Sequence, residues 1–200
     1  SIYAETLEVT AFQADIMRVR IAEDFLTQGM AFTATEFTTP PSVGGNVRVT
    51  FEDNPTFDGQ LFLNNEWVMF NIIQKRSGLV VAQVWGQVSA YQDVAAVEGV
   101  RRQSWQFTLR SGPTGFTVPK NSIALAWGVS GQKNGYIHHN VLASAYGPWT
   151  RYGSWSGANP YTVANRAYHV QVGNLRGLVD IAADRYGIAA GNNLAKTPTD

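Results

Sequence analysis

The chain has 200 residues, enough for one large domain or a compact domain with a small appendage. Its formal net charge is zero, only 15% of its residues are charged against about 25% in ordinary soluble domains, and aromatics make up 12%. It has no cysteine, which excludes a disulfide framework, a thiolate zinc site and a cysteine nucleophile, and no apolar run reaches the ~18 residues of a membrane-spanning helix.

The opening SIYAETLEVTAF lacks a basic stretch followed by an apolar core, which predicts a signal peptide that is absent or already removed. Over residues 1–31, Leu7, Val9 and Ala11 alternate with polar residues, followed by Ala14 and Ile16, then Met17, Val19 and Ile21. That period of two predicts short strands. A heptad with Leu7, Ala14 and Ile21 at one position puts Thr10 and Asp24 at its partner position, so a coiled coil fits poorly. A segment this short cannot bury its apolar residues alone. Residues 1–31 are therefore expected to be a stalk that packs against other copies, with a homotrimer as the expected assembly.

From residue 32 onward, strands alternate with turns. Val47, Val49 and Phe51 alternate and stop at Glu52-Asp53-Asn54-Pro55. Stretches 60–63 and 67–74 flank Asn64-Asn65, a pair suited to a tight hairpin turn. Further strands are expected over 79–90, 104–110, 122–129, 136–145 and 168–172, separated by RSGPTG, SGQKNG and SGANP. Turn clusters at roughly 8–12-residue spacing predict an all-β fold, an antiparallel β-sandwich over residues 32–200. Short helices are expected only over 93–100 and 178–184. Glycine is frequent, at 19 residues, and the low charge leaves Ser, Thr, Asn and Gln to solvate the surface, as in all-β adhesive proteins.

Charge is unevenly placed. Residues 1–98 carry twelve acids against five bases, whereas 99–179 carry no Asp or Glu and eight bases, Arg101, Arg102, Arg110, Lys120, Lys133, Arg151, Arg166 and Arg176. Two readings stand: the basic stretch pairs with the acidic one, or it attracts phosphate or acidic sugars. The bases are scattered rather than striped, so no nucleic-acid partner is expected.

The densest signal is Tyr146-Gly-Pro-Trp149-Thr-Arg151-Tyr152-Gly-Ser-Trp155-Ser-Gly-Ala-Asn-Pro-Tyr161. An aromatic ring every third residue, interleaved with glycine, predicts an irregular loop. Rigid aromatic platforms among small polar residues are how binding loops are built, which makes Tyr146, Trp149, Arg151, Tyr152, Trp155 and Tyr161 candidate receptor-binding residues. Core or interface packing is the competing reading of the same rings. His138 and His139 are adjacent in an expected strand and so face opposite ways. Either a hydrogen-bonded structural role or a ring of one of them on a threefold axis, holding a metal, fits that pattern. Glu52, Asp53, Asp58 and Glu66 read as a solvated turn, a calcium loop or a hydrolase pair. No Gly-x-Ser-x-Gly elbow, phosphate loop or dinucleotide fingerprint occurs. No catalytic residue, metal or cofactor is assigned.

Gly173-Asn174-Leu175-Arg176-Gly177 followed by Tyr186-Gly187-Ile188-Ala189-Ala190-Gly191 resembles a segment near the ends of phage and prophage tail proteins, a G-N-L-x-G element and then Y-G-x-A-x-G. The opening YAETLEVTAFQADIMRVRIAED resembles the short-strand stalks of siphophage central tail fibres, the host-specificity proteins of the tail tip. The resemblance implies a non-enzymatic, trimeric fibre tip in the virion, acting outside the host cell. Its expected partners are other tail proteins and a bacterial surface glycan or outer-membrane protein, without insertion into the membrane. Two further readings remain open: a carbohydrate-binding or polysaccharide-depolymerase domain, and a β-sandwich adhesin or cytolysin from a cell.

Overall fold

The computed structural model describes residues 24–27, 30–53, 59–73, 80–97, 100–141, 146–178 and 181–194. It is all-β and antiparallel throughout. One sheet has six strands in the order β2 (Met30–Phe32), β9 (Ile123–Gly128), β5 (Glu66–Ile73), β6 (Val80–Val97), β7 (Val100–Ser111) and β4 (Asn46–Glu52). A second has five, in the order β1 (Asp24–Thr27), β10 (Gly135–Asn140), β11 (Trp149–Trp155), β12 (Arg166–Asn174) and β13 (Tyr186–Ala190). Strands β3 (Phe37–Thr38) and β8 (Thr117–Val118) form a small ribbon.

Around β5 and β9 the six-stranded sheet is buried on both faces, because these two strands are continuously apolar rather than alternating. In β5, Val68 and Phe70 enter one core while Trp67 and Met69 enter another; in β9, Ala124 and Ala126 oppose Leu125 and Trp127 in the same way. The first core is rich in phenylalanine, with Phe70 lying 5.3 Å from Phe37 and 5.6 Å from Phe107 between ring centroids. The sheet curls around this core. The Ala34 amide donates to the Thr50 carbonyl at 2.8 Å and Thr33 bridges Phe51, so the chain just after β2 meets the opposite edge strand, β4. Gly86 lets the curl close tightly: a Cβ there would stand 2.3 Å from the Phe107 ring.

The second core joins the sheets. Trp67, Met69, Trp85, Leu125 and Trp127 of the six-stranded sheet meet Tyr136, Trp155 and Tyr168 of the five-stranded one. The buried Gln103 side chain ties distant segments together: it donates to the Asp53 carboxylate at 2.9 Å and to the Gly59 carbonyl at 2.7 Å, and accepts from the Leu61 amide at 3.0 Å.

Several local expectations need correction. Residues 93–97 belong to β6, where the ladder with β7 runs on to Val97 and Val100, and no helix occupies the described part of 178–184. Asn65 does turn, with φ of 64°, but residues 60–63 are not a strand; β5 pairs with β6 and β9 instead. The strand expected over 136–145 ends at Asn140. Of the segment 1–31, residues 1–23, 28 and 29 lie outside the described residues, while β1 and β2 are strands of the two sheets of the body.

Candidate functional site

Tyr146–Tyr161 is not an irregular loop. Residues 149–155 form β11, the middle strand of the five-stranded sheet, paired with both β10 and β12. Strand alternation then splits the aromatics by parity. Trp149 and Trp155 point inward and are 6% and 1% exposed, so neither presents an anchor to a receptor. Trp155 lies in the second core and its indole N–H donates to the Trp127 carbonyl at 2.5 Å. Tyr161 packs edge-on to Trp67, 5.7 Å between centroids. Gly153 interrupts the aromatic series because a Cβ there would fall 2.9 Å from the Tyr136 ring. Only Tyr146 and Tyr152, among the six candidates, expose much of their side chains.

Arg151 also faces inward. Its guanidinium lies 4.0 Å from the Trp149 ring centroid and 4.6 Å from that of Tyr168, and its Nε donates to Gln171 Oε1 at 2.6 Å. Arg166 stacks on Trp127 at 4.8 Å and Arg176 on Tyr146 at 4.7 Å. Three cations of the acid-free stretch therefore lie over aromatic faces, a use that neither charge reading anticipated. Its one visible signal was arginine set among rings in a segment without carboxylates. Arg101 does reach across to the acidic half, 3.6 Å from Asp53.

His138 and His139 face opposite ways, as their adjacency in a strand requires. His138 is buried edge-on to Trp149, at 4.8 Å, and burial with the neighbouring Arg151 charge pulls its pKa down to about 3, so it is neutral at physiological pH. His139, on the outer face, pairs through Nδ1 with Thr150 Oγ1 at 2.8 Å. Two of the acidic residues of the expected turn, Asp53 and Glu66, serve separate contacts. Asp53 is tied to Gln103, and Glu66 accepts from the Leu63 amide at 2.6 Å while burial raises its pKa; Asp58 lies outside the described residues. Among the described residues, no group of three or more His, Asp or Glu is placed to hold a metal.

The Gly173–Gly177 element has a structural explanation. Gly173 has φ of 114°, and a Cβ on it would fall 2.5 Å from the Pro148 carbonyl oxygen. Asn174 then donates to Asp184 at 3.1 Å and accepts from the Arg176 amide at 3.0 Å, holding the turn against the Tyr146–Pro148 corner. The hydrogen bond from Asn174 lowers the pKa of the exposed Asp184 carboxyl.

The outer face of the five-stranded sheet departs from the usual pattern. A solvated sheet face is ordinarily polar. Here β11 presents Thr150, Tyr152 and Ser154, flanked by Val172 of β12 and by Tyr186 and Ile188 of β13. Tyr152 is 45% exposed, Tyr186 66% and Ile188 73%. A shallow depression of about 270 Å³ opens at one end of this face, lined by His139, Pro148, Trp149, Thr150, Val172 and Tyr186, with no carboxylate in its wall. No family model matches the chain, and comparisons with curated proteins and with solved structures return no match.

Proposed function

We propose that this chain is the tip of a phage tail fibre and adsorbs to a glycan on the host surface through the outer face of the five-stranded sheet. The observation that carries the reading is the uncovered apolar and aromatic surface formed by Tyr152, Val172, Tyr186 and Ile188. An apolar patch left on a sheet face marks a binding surface more often than a solvated one. Tyrosine rings stack on the C–H faces of sugars while their hydroxyls meet sugar hydroxyls, and the carboxylate-free depression beside them repels no acidic sugar. The resemblance of the Gly173–Gly191 segment and of the opening to tail proteins supplies the biological setting. In that setting the chain acts as a trimer in the virion, joined to other tail proteins.

Binding to whole cells and to a glycan array tests the proposal. Tyr152→Ala and Tyr186→Ala should each weaken binding by about 2 kcal/mol while leaving the melting temperature unchanged. Periodate treatment of the cells should abolish adsorption; loss on protease treatment alone would identify an outer-membrane protein as the receptor. Release of reducing ends from bound polysaccharide would favour the depolymerase reading. Light scattering should give three times the 21.9 kDa chain mass, and a single-chain mass would remove the trimer.

A further inference from the structure

The outer face also carries a hydroxyl–imidazole pair that recognition by Tyr152 and Tyr186 does not use. Ser154 Oγ lies 2.8 Å from His169 Nε2, and His169 Nδ1 lies 2.6 Å from the Asn192 carbonyl oxygen. A carbonyl can only accept, so Nδ1 must carry the proton. In the neutral ring Nε2 is then a lone pair, and the Ser154 hydroxyl donates to it. This is the tautomer and the direction that a serine nucleophile requires of its base, with a backbone carbonyl in the orienting position.

The surrounding chain holds the arrangement in place. The β11–β12 register shifts between Tyr152 and Gly153, whose partners are Val170 and Tyr168, leaving His169 as the extra residue of a bulge. A bulge re-aims side chains, and this one turns His169 toward Ser154. Residues 191–194 clip onto the bulge: the Gly191 amide donates to the His169 carbonyl at 2.8 Å and the Leu194 amide to the Tyr168 carbonyl at 2.7 Å. Those bonds fix the Asn192 carbonyl against the imidazole. Both Ser154 and His169 are only half-buried, so a reactant can reach the oxygen.

We infer that Ser154 is a nucleophile activated by His169, attacking the carbonyl carbon of esters. Ser154 Oγ adds to the acyl carbon as its proton passes to His169 Nε2; the bond to the alkoxy oxygen breaks, and the departing alcohol takes that proton back. Water, giving its proton to Nε2, then cleaves the acyl-serine, releasing the acid and restoring the hydroxyl. A neutral carbonyl orients the imidazole but stabilises the imidazolium less than a carboxylate does, so turnover is slow. The inference stands apart from glycan recognition, which needs only the neighbouring rings.

A fluorophosphonate probe, which loses fluoride to the attacking serine, and p-nitrophenyl acetate test this on the whole chain. Peptide mapping should place the phosphonyl group on Ser154. Ser154→Ala should abolish labelling, His169→Gln should slow it by roughly 100-fold or more, and imidazole in the buffer should partly restore His169→Ala. Ser156→Ala, two residues along, should label like the parent. Melting temperatures of all four variants separate lost chemistry from lost fold. Labelling elsewhere than Ser154, or a rate unchanged by His169→Gln in a folded variant, overturns the inference; so does the absence of any labelling in the parent chain. None of these outcomes alters whether Tyr152→Ala weakens glycan binding.

Discussion

The two faces that the six-stranded and five-stranded sheets turn inward are built from different physics. The first core, enclosed by the curl of the six-stranded sheet, is built mainly from Phe37, Phe51, Phe62, Phe70, Phe107 and Trp105 with aliphatic neighbours. The inner face of the five-stranded sheet instead stacks Arg151 between Trp149 and Tyr168, sets His138 against Trp149, and ties Arg151 to Gln171. A hydrocarbon core is held by area removed from water and is indifferent to protons. A face assembled from cations, rings and amides depends on orientation and on the protonation state of His138. One protein thus combines a region that tolerates changes of solution with a region that responds to them.

The sharpest way to break the comparison is to cut into the hydrocarbon side. Phe70→Ala removes a fully buried ring that touches three other phenylalanines and should destabilise the chain by about 3–5 kcal/mol in urea unfolding. That loss should be the same at pH 5 and pH 7. The next largest effect should appear only on the other side. His138 has its folded-state pKa near 3 against about 6.5 unfolded, so the unfolded chain binds the extra proton as pH falls. Stability should therefore decline below pH 6.5, by up to about 1.4 kcal/mol per pH unit, until roughly pH 3. Glu66 works against this, since its raised folded pKa adds stability as pH drops toward 4.5. Comparing His138→Gln with the parent isolates the histidine, and a parallel pH dependence in both would show that His138 is not its source.

Smaller effects sharpen the contrast. Arg151→Lys keeps the charge but loses the planar stack and the Nε bond to Gln171, and should cost about 2 kcal/mol. An unchanged unfolding midpoint would mean that the stack contributes nothing. Ile188→Ser, on the outer face, should shift the midpoint by less than about 0.5 kcal/mol while reducing binding of a hydrophobic dye.

How far the sequence could be read divides along the same line. Strands β4 and β9 were visible because alternation or a short apolar run bounded by turns leaves few alternatives, and Asn65 announced its turn. The turn's partner was misread, because an Asn-Asn pair specifies a local reversal and not which strands flank it. Residues 93–97 resembled a helix because the end of the β6–β7 ribbon is exposed on both faces, so no buried side imposes a period of two. The aromatic run was misread as a loop because its period of three is two strand faces superposed. Trp149 and Trp155 share one parity, Tyr152 takes the other, Tyr146 precedes the strand, and Gly153 makes room for Tyr136. The Ser154–His169 pair left no trace in the pattern, since it depends on a one-residue bulge and on a carbonyl more than twenty residues farther along the chain.

Strands β1 and β2 stand almost next to each other in the chain, yet each completes a different sheet against a late-synthesised partner: β1 pairs Asp24 with Asn140, and β2 pairs Met30 with Leu125. During translation at about 5–20 residues per second, β1 must wait on the order of ten seconds for its partner to be made. Until then two apolar strands stand ready to pair with whatever edge is nearest. Pairing of both strands is thereby deferred to nearly the same moment, and nascent chains that stall before Asn140 should be the ones that chaperones hold.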